Sequence, residues 1–187
     1  MLTIAILAPD CGLQIEKILT SLLKQNHKKY AVIKKPALFD SECEGLSQIG
    51  TEYCIINFDR GFPPSCFVDI LILDTAGKKD LLSPSLLRCL APDAILIYNA
   101  DTPDEFQVRH PSAISYGLSS AALATVSSID TVAQDTCFTY CLQTALKSIH
   151  GNLLLQQEFS VHYPRPNTNL YHLLPAVTCS IVCDLMV

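Results

Sequence analysis

The 187-residue chain is poor in charge: 17% of its residues are Asp, Glu, Lys or Arg. Thirteen basic residues against eighteen acidic ones leave a net charge of −5. A nucleic-acid surface needs clustered Lys and Arg to neutralise phosphates, and this balance argues against one. Long apolar runs are also missing, although 49% of the residues are hydrophobic. The apolar stretches are strand-sized and broken by Asp, Lys or Pro, well short of the roughly 18 residues that a membrane span needs. Met1-Leu2-Thr3-Ile4 has no basic leader and no cleavage site, so no signal peptide is read there, and the expected location is the cytoplasm. No repeat, low-complexity segment or linker divides the chain, and 1–187 is read as one domain. The apolar fraction excludes a disordered chain. Nine cysteines, an odd number spread through apolar runs, read as small buried hydrophobes rather than a disulfide framework.

Apolar periodicity is plentiful. Thr3 to Ala8 is a buried strand followed by the turn Pro9-Asp10-Cys11-Gly12. Ile15, Ile18, Leu19, Leu22 and Leu23 then recur at helical spacing, with Glu16, Lys17, Lys24 and Gln25 on the other face, so Leu13 to about Asn26 is an amphipathic helix. Further strands are read at Tyr30–Ile33, Glu52–Phe58, Val68–Asp74, Ala94–Tyr98 and Ala113–Tyr116. Ser83-Pro84 has the form of a helix start, with Ser as cap and Pro in the first turn. Such near-continuous apolar strands indicate a mostly parallel α/β sheet, P-loop- or Rossmann-like, covered by helices on both faces. After Gly117 the pattern alternates: Phe138, Tyr140 and Leu142 on one face, Cys137, Thr139 and Cys141 on the other. Thr136–Thr144 and Leu153–Val161, joined by the turn His150-Gly151-Asn152, are expected to form a small antiparallel hairpin near the C-terminus. Leu170 to Met186 is read as an apolar helix despite Pro175.

Two stretches carry a family resemblance. Ala113-Ile114-Ser115-Tyr116-Gly117 and the following Ala121 to Thr125 resemble the "I-T-Y-G" strand and "A-D-x-x-A" segment of Mur ligases, the ATP-dependent amide ligases of peptidoglycan synthesis. Ile97-Tyr98-Asn99-Ala100-Asp101-Thr102-Pro103 is similar to that family's "V-x-N-x-D-D-P". Asn169 to Ala176 falls where the family has "H-N-x-x-N-x-x-A-A", with Tyr171 and His172 departing from it. The resemblance implies the nucleotide-binding central domain of those ligases, without their substrate-binding N-terminal and C-terminal domains.

The missing piece is the phosphate loop. After the first strand the family reads "G-T-x-G-K-[ST]"; this chain reads Ala8-Pro9-Asp10-Cys11-Gly12-Leu13-Gln14. A phosphate cradle needs glycines to turn amides inward, a Lys for the β- and γ-phosphates and a hydroxyl for Mg²⁺. Pro9 removes a donor, Asp10 adds a negative charge, and Lys17 is the first Lys, a full turn into the helix. No cofactor is expected at that loop. Asp69 to Gly77 resembles a Walker-B strand ending in "D-T-A-G", whose Asp would order Mg²⁺; hydrophobic strands ending in Asp and a Gly turn are also common without that role.

The carboxyl ends of the strands define the expected ligand crevice. Its rim is Asp10, Cys11 and Gly12, then Asp74, Thr75 and Gly77, then Asn99 and Asp101 with Asp104 beyond. Rich in acids, it suits a cation, an amine or a protein loop better than a triphosphate, although the same residue types are ordinary turn formers. No catalytic residue is assigned. Cys11, at a helix start, is a candidate reactive thiol opposed by Asp10. Cys137-x-x-x-Cys141 and Cys179-x-x-x-Cys183 would hold zinc only if the two pairs met, and their apolar neighbours favour core instead. Scattered histidines (His27, His110, His150, His162 and His172) suggest surface positions. Two functions follow. The first is a non-catalytic Mur-ligase-like module without the phosphate loop, acting as an interaction or scaffold element and associating with itself or a protein partner. The alternative is a divergent nucleotide-binding ligase or NTPase using Asp74 and Asp101 for metal.

Overall fold

The computed structural model describes residues 1–34, 38–58, 67–74, 88–102, 110–132 and 135–187. The first six strands are β1 (Leu2–Leu7), β2 (Tyr30–Ile33), β3 (Tyr53–Phe58), β4 (Val68–Leu73), β5 (Leu90–Asn99) and β6 (Ala113–Tyr116). Then come β7 (Ala124–Val132), β8 (Asp135–Leu142), the short β9 (Leu146–Lys147) and β10 (Leu153–Leu154), and β11 (Gln157–Tyr163). The helices are α1 (Gly12–Gln25), α2 (Phe39–Gln48) and α3 (Leu170–Val182). Nine strands form one sheet in the order β11-β8-β7-β6-β5-β4-β1-β3-β2. From β2 through β7 neighbours are parallel; β8 and β11 continue the sheet antiparallel. The β9–β10 hairpin stands apart near the C-terminus.

Alternation along the parallel strands feeds two cores. Ile4, Ile6, Ile55, Ile70, Ile72, Ile95 and Ile97 face α1 and α3, while Ala5, Leu7, Cys54, Ile56, Leu71, Leu73 and Leu96 face the side of α2. Burial on both faces is why these segments read as unbroken apolar runs. Helix α3 packs along α1 and buries every residue from Leu173 to Val182. Asn169 caps it, its side chain accepting from the Tyr171 amide. It ends at Val182 rather than Met186. Asp184 adopts φ 56°, the Asp184 amide donates to the Ile181 carbonyl and the Leu185 amide to the Ser180 carbonyl. This pair of bonds is a Schellman stop.

Several expectations are corrected. Glu16 does not lie on the polar face of α1. It is buried, accepting from Lys34 Nζ and, at 3.3 Å, from Asn57 Nδ2. Helix α2 is additional; its inward side is Phe39, Cys43 and Leu46, an i, i+4, i+7 set too sparse to stand out. Strand β7 is additional too. Ala124 and Val126 oppose the core-facing Leu142 and Tyr140, but a bulge at Ser127 shifts the phase, so the next such residue is Ile129, opposite Phe138. The turn at Gly151 (φ +84°) closes β9 on β10, whereas the partner of β8 is β11, in register from Gln157↔Leu142 to Tyr163↔Thr136. Strand β5 starts earlier than expected and slips by several residues against β4 around Pro92, which has no amide for the ladder. The Ser83-Pro84 helix start lies outside the described residues.

Six of the eight described cysteines are buried. Cys137 and Cys141 occupy the face of β8 opposite Tyr140, whose hydroxyl meets Thr178 Oγ1 of α3 at 3.1 Å. The sheet therefore separates them from Cys179 and Cys183 on α3. Among the described residues no three His, Cys, Asp or Glu side chains converge to hold a metal. His27, His150 and His162 are exposed, His110 and His172 half-buried. No described helix is long and apolar enough to cross a membrane.

Candidate functional site

In the strand order β1 leads through α1 to β2 in one direction and β4 leads to β5 in the other, so the gap beyond their carboxyl ends is the topological switch point. Asp74 stands there, directly after β4, its amide bonded to the Leu7 carbonyl at 3.0 Å. The side chain is buried, and three neighbours aim at its Oδ2. The Tyr116 hydroxyl donates at 2.9 Å from the end of β6, Asn99 Nδ2 at 3.2 Å from the end of β5, and Cys11 Sγ at 3.9 Å from the start of α1.

A second carboxylate lies alongside. Asp101 accepts from the Leu118 amide, from the Ser119 amide at 3.3 Å and from the Tyr171 hydroxyl at 3.0 Å. The two acids are linked through Asn99, whose Oδ1 accepts from the Asp101 amide at 3.0 Å while its Nδ2 serves Asp74. Gly117 makes this possible: a Cβ there would lie 2.6 Å from Asp101 Oδ2. Burial pulls the Asp101 pKa upward, but the bonds from Leu118, Ser119 and Tyr171 outweigh it and leave the carboxyl below the ordinary value. Burial, then the charge of Asp74, pushes Tyr116 well above the usual phenol range, so it stays a donor. Burial depresses His172, with Asp74 pulling the other way.

The turn from β1 into α1 is tight. Only Ala8 to Cys11 separate strand from helix, and the amides of Cys11 and Gly12 both donate to the Ala8 carbonyl, at 3.1 and 2.6 Å. A Cβ on Gly12 would come 2.6 Å from Asn57 Oδ1, so this glycine serves the approach of α1 to β3. Asp10 is exposed on the turn. Cys11 is not an activated thiol: burial first, then Asp74 and Asp10, push its pKa to about 12.

Of the residues expected at the crevice, Cys11, Asp74, Asn99 and Asp101 come together. Asp10 and Gly12 sit on the turn beside them, and Thr75, Gly77 and Asp104 lie outside the described residues. Sequence reasoning missed Tyr116 and Tyr171 as the hydroxyl partners of the acids. Their one signal is a tyrosine at a strand end or helix start, where a phenol can bury its ring and still reach a polar group. A separate cleft of about 790 Å³ opens at the opposite, amino-terminal ends of the strands. Three of its four acids are engaged: Glu52 with Lys28, Asp69 with the Thr3 amide, and Asp184 with His150 and Asn152.

No protein-family profile matches this sequence, and no curated protein matches it. Solved structures do. A UDP-N-acetylmuramoyl-L-alanyl-D-glutamate–2,6-diaminopimelate ligase superposes with a TM-score of 0.65 at 13% identity, over 98% of this chain and 43% of the ligase. The MurF ligase of Thermotoga maritima, solved in complex with ADP, superposes with a TM-score of 0.66 at 12% identity, over 100% of this chain and 46% of the ligase. The fold is thus a Mur-ligase-like α/β fold. The chain spans less than half the length of either ligase.

Proposed function

We infer that this chain is a Mur-ligase-like module that does not use the phosphate loop of that fold and serves in the cytoplasm as an interaction or scaffold element. The observation that carries the reading is the β1–α1 turn. A phosphate cradle presents several free amides around an anion. Here the Cys11 and Gly12 amides are spent on Ala8, Pro9 has none, and Asp10, with Asp74 behind the turn, opposes an anion. The residues present therefore do not fit a nucleoside triphosphate at this turn, and no reaction step is assigned to one.

The acid cluster favours the same reading over a divergent NTPase. Asp74 and Asp101 are tied to Tyr116, Asn99, Tyr171 and two amides, an arrangement that joins β4, β5, β6 and α3. Satisfied buried networks of this kind rigidify a fold. Heat-denaturing the purified protein and chromatographing the supernatant tests the reading, together with phosphate release from ATP and GTP. We expect no co-purified nucleotide and no release above the buffer blank. Stoichiometric nucleotide, or hydrolysis abolished by Asp74→Asn, would overturn it.

A further inference from the structure

The sheet ends differently on its two sides. Strand β2 is four residues long and flanked by Lys28, Lys29 and Lys34, and shortness and lysines are how edge strands avoid pairing with another chain. Strand β11, at the other end, runs seven residues with no Lys, Pro or Gly from Gln157 to Tyr163. Its outer side faces no other strand among the described residues. Two leucines just before it, Leu153 and Leu155, are 65% and 62% exposed.

The side chains of β11 are complementary to themselves. Glu158, Ser160 and His162 lie on one face, opposite Cys141, Thr139 and Cys137 of β8, and Phe159 and Val161 lie on the core face. An antiparallel ladder between two copies, with its two-fold axis at Ser160, sets Glu158 of each copy opposite His162 of the other. It sets Phe159 opposite Val161 in the same way. Strand β8 sets a thiol opposite each polar group: Cys137 Sγ lies 3.1 Å from His162 Nδ1, and Cys141 is the cross-strand partner of Glu158. A thiol that donates to Nδ1 leaves Nε2–H as the donor available to the carboxylate across the edge.

We propose that β11 is the seam of a homodimer, in which two copies join their sheets antiparallel about Ser160 and Glu158–His162 pairs lock the register. The Cys137-x-x-x-Cys141 spacing then has a purpose: the two thiols, one on each side of Thr139, stand opposite the two members of that lock. The inference goes beyond the function proposed above and is independent of nucleotide binding.

Sedimentation velocity under reducing conditions, over a range of protein concentrations, tests it. The expected result is a concentration-dependent dimer. Glu158→Lys removes the acceptor of two symmetry-related cross-strand hydrogen bonds and His162→Glu turns both pairs repulsive, and each should raise the dissociation constant about tenfold. The double variant sets a Lys opposite a Glu in each pair, re-forming a donor–acceptor contact, and should return to within about threefold of the parent. In the unaltered protein, hydrogen exchange should show the amides of 157–163 gaining protection as concentration rises, a readout that needs no variant to fold. A monomer at every concentration overturns the proposal. So does a dimer insensitive to both single variants, or a loss that the double variant does not rescue.

Discussion

Replacing Tyr116 with Phe deletes one oxygen and leaves the shape of the site intact. Tyr116 is fully buried, and its hydroxyl donates to Asp74 Oδ2 at 2.9 Å. A hydrogen bond to a charged group contributes about 1.5–3 kcal/mol, and leaving the acceptor short of a donor in the interior adds to the loss. Asn99 Nδ2 remains at 3.2 Å and the weaker Cys11 thiol at 3.9 Å. These partial replacements place the expected cost near ~2 kcal/mol. For a chain of this length each kcal/mol moves the melting temperature about 2–4 °C, so Tyr116→Phe should melt about 4–8 °C lower. Thermal unfolding at pH 7, followed by circular dichroism, reads this directly. Asp74→Asn sharpens the test. An acid held in place for a ligand at the expense of stability raises the melting temperature when neutralised. An acid that ties three strands to a helix lowers it. A Tyr116→Phe protein melting within about 1 °C of the parent, or a stabilised Asp74→Asn, would refute the structural reading of this cluster.

Gly117→Ala should cost about 2–4 kcal/mol, because its Cβ would sit 2.6 Å from Asp101 Oδ2 and push the carboxylate off its amide donors. Combining it with Asp101→Ala should be markedly less than additive in chemical denaturation. Cys11, its pKa near 12 through burial and the neighbouring acids, should resist iodoacetamide at pH 8 in the folded protein and react only in urea; equal labelling in both states, read by mass spectrometry, contradicts this. Asp101 and Asp184 are held below the ordinary Asp value of 3.8 in the fold. Their contribution is therefore complete above that value and disappears as pH falls through the lower folded values. Stability should drop on acidification below about pH 4, and Asp101→Asn should flatten that limb.

The sheet was legible wherever burial on both faces made an unbroken apolar run, as in β1, β3, β4 and the inner half of β5. It was illegible where local geometry breaks the period. The bulge at Ser127 puts Val126 and Ile129 three apart on one side of β7, and no alternation survives that slip. Glu16 sits at a polar position of the helical pattern yet is buried, because Lys34 and Asn57 arrive from β2 and β3 to satisfy it. The acids of the site could be read as strand-end residues. Their partners could not: Tyr116 is 42 residues from Asp74, and Tyr171 is 70 from Asp101, so only the folded topology brings them together. The C-terminal helix illustrates the converse. Its apolar sequence was legible, and Leu173–Val182 is consumed within the chain, mainly against α1 and the sheet, a destination that only the folded topology supplies.

On the function proposed above, the turn from Ala8 to Cys11 spends on the Ala8 carbonyl the amides that a phosphate loop would offer. Calorimetric titration of the purified protein with Mg-ATP, alongside Mg-GTP and a UDP-sugar, tests it most directly. We expect no heat of binding beyond dilution for any of the three. Saturable binding of Mg-ATP in the micromolar range would contradict it, and would require the Cys11 and Gly12 amides to leave the Ala8 carbonyl and turn toward the nucleotide.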